Sequence, residues 1–80
     1  SLAAIEWLIN HRLKRERKVV EKLTGLGRCA LDDLVVQVYD DVDVSLHGMA
    51  KLSLTAHLIK LRQEERALEL GDSCWEMAAP

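Results

Sequence analysis

Apolar residues recur along the chain at helical spacing in three places and alternate in one. The clearest run spans Ser45 to Glu65. There Leu46, Ala50, Leu54, Leu58 and Leu61 follow one another at intervals of four, four, four and three, which predicts an amphipathic helix with those five side chains as its core stripe. At about 100° per residue, His47 and His57 border that stripe. Leu52, Ala56 and Ile59 fall on the far side and make a second, smaller apolar patch, which calls for a cover from outside a small domain.

The first helix is predicted from Leu2 to Leu23, with Leu2, Ile5, Ile9, Leu13, Val20 and Leu23 on one face, flanked by Leu8 and Val19. Thr24-Gly25-Leu26-Gly27 ends it, since either glycine can supply a left-handed cap. Arg28-Cys29-Ala30 leaves room for a very short strand, and Leu31 to Tyr39 forms a second helix on Leu31, Leu34, Val35 and Val38. Asp32 and Asp33 suit its positive end. Asp40 to Val44 is an acidic turn, from which Asp43 or Ser45 caps the long helix. After Glu65 the period changes, and Arg66–Leu70 and Ser73–Met77 read as a hairpin closed by Gly71-Asp72, a register that sets Leu68 opposite Trp75. Helix, short strand, helix, helix, hairpin is the order of a winged helix, a mainly α fold of the helix-turn-helix class with a small C-terminal β-hairpin.

Composition narrows the picture. A single domain of 80 residues buries only roughly 60–65% of the surface its unfolded chain exposes. Without Phe, its core is aliphatic, with Trp7, Tyr39 and Trp75 as the aromatic anchors. No apolar run approaches the ~20 residues of a membrane span, and no secretory leader is visible, so an intracellular setting is expected, cytoplasmic or in the mitochondrial matrix. Cys29 and Cys74 then read as reduced, buried small hydrophobes. Absence of an initiator Met and an opening inside helix lead us to expect a domain excised from a larger protein. The net charge of −2 divides unevenly: Ser1–Arg28 carries +4 and Cys29–Pro80 carries −6. The overall acidity argues against strong nonspecific nucleic-acid binding.

A search for chemistry finds little. No nucleophile elbow, phosphate loop, metalloprotease motif or dinucleotide turn is present, and Leu46 and Leu52 occupy the glycine and glutamate positions of a calcium loop begun at Asp41. His47 and His57, ten residues apart on one helix, stand about 15 Å from one another and cannot share a metal. Each fits a buried imidazole bonded to a backbone carbonyl. Arg12 and Glu16, four apart within the apolar arc of the first helix, are expected to form a partly buried salt bridge. Trp7 and His11 lie on the opposite side of that helix, a second face for contact. A recognition helix for DNA would show Lys51, Thr55, Arg62 and Gln63, but Leu52 and Ile59 interrupt them, and Glu69, Asp72 and Glu76 in the wing would repel phosphate.

Four segments together carry a family resemblance: His11–Glu16 (HRLKRE), Val38–Val42 (VYDDV), Leu46–Ala50 (LHGMA) and Ser53–Leu61 (SLTAHLIKL). In order and spacing, from about Ile5 to Arg66, the chain resembles the C-terminal winged-helix domain of metallo-β-lactamase-fold hydrolases, the β-lactamase-like proteins. It departs at Ala30, where the family often has a capping Thr or Ser, and at Glu65, where glycine commonly ends the long helix. The hairpin beyond Arg66 adds nothing to the resemblance. The resemblance implies a noncatalytic accessory domain that packs on an upstream metallo-β-lactamase-fold domain of the same polypeptide and helps wall its substrate cleft. Any zinc would belong to that upstream domain, with thioesters or single-stranded RNA as substrates. Expected structural residues are Arg12, Glu16, Leu54, Leu58 and His57; expected contact residues are Trp7, His11, Leu52 and Ile59. Competing readings are a DNA-binding regulator using Lys51 and Arg62, and a stand-alone adaptor or homodimer joined through Leu52 and Ile59.

Overall fold

The computed structural model describes all residues from Ser1 to Pro80. Helix α1 spans Leu2–Leu26, strand β1 Cys29–Ala30, helix α2 Leu31–Val38 and helix α3 His47–Gln63, followed by β2 Ala67–Glu69 and β3 Cys74–Met77. This is a winged-helix arrangement of three helices and a C-terminal hairpin. The strands join in the order β1-β3-β2, antiparallel throughout, so the two residues of β1 complete a three-stranded sheet.

Each boundary has a local cause. Gly27 ends α1 with φ 78° and ψ −104°, a conformation open to a residue without Cβ, and its amide donates to the Leu23 carbonyl. Ala30 gives α2 no side-chain cap. The Leu31 amide is instead satisfied by the Ser73 carbonyl from the hairpin loop at 3.0 Å. Asp43 accepts from the Ser45 amide and opens a short 3-10 turn, Val44–Leu46, that leads into α3. At the far end of α3 the Arg66 amide reaches back to the Leu61 carbonyl and the Glu65 amide to that of Arg62, a Schellman closure with Glu65 in the left-handed position at φ 61°.

The core gathers Val19 and Leu23 of α1, Leu34, Val35 and Val38 of α2, Leu54, Leu58 and Leu61 of α3, and Ala67 and Trp75 of the sheet. Three expectations need correction. Leu46 is half exposed rather than the first member of the α3 stripe, because the tighter 3-10 turn rotates it off the helical line. The hairpin slips by one residue: Leu70 and Cys74 pair around Gly71-Asp72-Ser73, with Asp72 and Ser73 both left-handed. Leu68 therefore faces Glu76 and Glu69 faces Trp75, which turns Ala67 inward and Leu68 outward. The third concerns α1, which runs to Leu26. Its apolar face is buried only in its second half, and Leu2, Ile5, Leu8, Ile9 and Leu13 are exposed.

Candidate functional site

Helix α1, 25 residues and so about 37 Å long, provides most of the chemistry-bearing surface. Its second half lies against α2, α3 and β3. Ile5 and Ile9 continue the line of Glu16 and Leu23 along the helix, yet they remain 55% and 53% exposed, so the stripe outruns the core it serves.

Where α1 meets the other helices, two ionic clusters fix its position. Glu16, 9% exposed, accepts from the Lys60 ammonium at 2.9 and 3.2 Å, and the Nδ1 atom of His57 stands 3.9 Å from the same carboxylate. The expected partner, Arg12, is exposed and pairs with no acid: it borders the same pocket as Glu16, but a long-range lysine from α3 takes that carboxylate. Glu16 and Glu64 together hold the Lys60 pKa up. Burial pushes the His57 imidazole down, an effect that Glu16 offsets only in part. His57 has no carbonyl partner. That expectation is met at His47, whose Nε2 atom donates to the Tyr39 and Val42 carbonyls, both at 3.1 Å, and closes the turn between α2 and α3.

Arg15 forms the second cluster, and sequence reasoning missed it. Its guanidinium donates to the Val38 carbonyl at 2.8 Å and grips both oxygens of Asp41 at 2.8 and 3.2 Å, lying 4.5 Å over the Tyr39 ring. A cation at the C-terminal end of α2 satisfies a carbonyl that the helix leaves free. Its hydrogen bonds hold the Asp41 carboxyl at a pKa of about 2. Lys18 pairs with Asp40 beside it. The signal was the charge imbalance itself, a basic first helix set against the acidic turn Asp40-Asp41.

Trp7 and His11 stack along α1, rings 5.0 Å apart and 8° from parallel, with His11 on the edge that faces the turn after α2. Trp7 is exposed, as is Leu52 of α3, whereas Ile59 is half-buried. Thus Glu16, His57 and the α3 leucines converge, while Trp7 with His11 and Leu52 with Ile59 form separate surfaces. Helix α3 presents its cations already paired, Lys51 to Asp32, Lys60 to Glu16 and Glu64, and Arg62 to Glu69. Cys29 and Cys74 are free thiols on neighbouring strands. Paired with Trp75 and Ala30 respectively, they point to opposite faces of the sheet. No three or more His, Cys, Asp or Glu side chains come together to hold a metal ion, and no helix is long and apolar enough to cross a membrane.

No solved structure matches the chain. The family model of the beta-lactamase associated winged helix domain matches residues 30–78, from the start of α2 to the end of the hairpin. Helix α1, with its His11–Glu16 segment, precedes the matched region, whereas the hairpin falls within it. That match spans more than half of the residues and agrees with the helix and strand order, and the chain belongs to the beta-lactamase associated winged-helix family.

Proposed function

We propose that this is the noncatalytic accessory domain of a metallo-β-lactamase-fold hydrolase, docked on the catalytic domain and helping to shape its substrate cleft. The observation that supports it is the uncovered half of the α1 stripe, Leu2, Ile5, Ile9 and Leu13. Core-type side chains continue along one helical line past the end of this domain's own core, and covering each would contribute on the order of 1 kcal/mol. A catalytic domain joined to α1 provides such a cover, and the family's name supplies its kind. Any zinc belongs to that domain. The Trp7–His11 stack and the Leu52–Ile59 patch are further contact surfaces in this reading, and the acid-paired cations of α3 speak for protein contact over duplex DNA.

The test is association of the domain with its catalytic partner, produced as two separate polypeptides and followed by size-exclusion chromatography. The double variant Ile5→Glu/Ile9→Glu should keep the thermal melt of the domain and lose co-elution. Unchanged co-elution would refute the role of the stripe, and co-elution lost only in Leu52→Glu would move the contact to α3.

A further inference from the structure

Between α1, the turn after α2 and the start of α3 lies a cavity of about 390 Å3. That is within the range of small-molecule sites. Its two walls differ in kind. The α1 wall carries His11, Arg12 and Arg15, and the opposite wall carries Val42, Leu46 and Met49 with Ser53 and His57 beyond them, and no carboxylate is among the lining residues. Arg15 is already engaged by Asp41 and the Val38 carbonyl. Arg12 is not: it forms no ion pair, although most cations that border α3 do. Leu46 and Met49 are 50% and 73% exposed, an apolar surface left open beside a free guanidinium.

Tyr39 also lines the cavity, is 5% exposed, and its hydroxyl is a buried polar group without a hydrogen-bond partner. Buried hydroxyls are nearly always paired, and this one, closed off from solvent, is an unmet donor within the wall rather than a group offered to the cavity.

We infer that this cavity binds a small organic acid, with its carboxylate on Arg12 and its apolar body on Val42, Leu46 and Met49. One uncommitted guanidinium balances one negative charge, and its planar fork matches the two oxygens of a carboxylate. The inference goes beyond the accessory role and does not depend on it, since its test reads ligand affinity rather than association of domains.

The experiment is calorimetric titration of the whole protein that carries these residues with decanoate, decanol and decyl phosphate, each below its micelle concentration. Decanoate should bind about tenfold more tightly than decanol, the ratio expected for one charge-assisted hydrogen-bonded pair. Arg12→Gln should erase that ratio. Ser53→Trp, at an exposed position of the cavity wall, should fill the space and abolish binding while the melting temperature stays unchanged. Equal affinity for decanoate and decanol, or decanoate binding that survives Ser53→Trp, would overturn the site. A tenfold preference for decyl phosphate over decanoate would overturn the choice of a carboxylate.

Discussion

Glu65 holds a backbone position made for a residue without a side chain. At φ 61° it is the left-handed residue of the closure after α3, and its carboxylate makes no ion pair in return. Left-handed geometry costs an L-residue roughly 1–2 kcal/mol, part of which glycine gives back as unfolded-chain entropy. Glu65→Gly should therefore stabilise the domain by about 1 kcal/mol, read as a higher urea midpoint with unchanged slope. His57 makes a different prediction, on pH. Its folded pKa is lowered, so the folded state binds fewer protons than the unfolded chain, whose histidine titrates near about 6.5. The contribution is complete above that value and is lost as pH falls toward the folded pKa. Between about pH 7 and about pH 5 the urea midpoint should fall, and His57→Gln should flatten that fall. An equal fall in both proteins would place the titrating group elsewhere.

At the scale of elements, periodicity was a good guide wherever the chain supplies its own cover. Ala50, Leu54, Leu58 and Leu61 of α3 and Leu34, Val35 and Val38 of α2 stand in the core as their spacing predicts. Leu54 and Leu58 are wholly enclosed, so Leu54→Ala or Leu58→Ala should cost roughly 2–5 kcal/mol. Leu52→Ala, 74% exposed on the same helix, should stay within about 0.5 kcal/mol. Equal losses at 52 and 54 in a chemical melt would show that α3 is rotated. Periodicity failed where one residue of length or one turn of reach decides. The hairpin register depends on Ser73 joining the loop, which strand alternation cannot reveal. Glu16 was legible as a buried charge, but its partner Lys60 lies 44 positions away, and a local spacing of four favoured Arg12 instead. Arg15 escaped for the same reason, since its acceptors belong to the end of α2 and the turn beyond.

On the scale of the molecule, α1 is two things joined end to end. From Arg15 onward it is a core helix, held by Asp41, Glu16 and the buried Val19 and Leu23. Before that its apolar line stays exposed, and its first turns project beyond the core. A helical segment of this length is marginal in water when packing does not hold it, because nucleation and end fraying are offset by few tertiary contacts. Amide exchange should divide the helix accordingly. In the isolated 80 residues, amides from Ile5 to Leu13 should exchange much faster than those of Val19 and Leu23, which open only with the core. Under the proposed accessory role, protection of the first half should rise toward that of the second once a catalytic domain is docked on α1, since covering Ile5 and Ile9 ties its opening to the interface. Uniform protection in the isolated chain would mean that α1 is stabilised by its own backbone and charges, and the exposed stripe would then lose its claim to be an unfinished core.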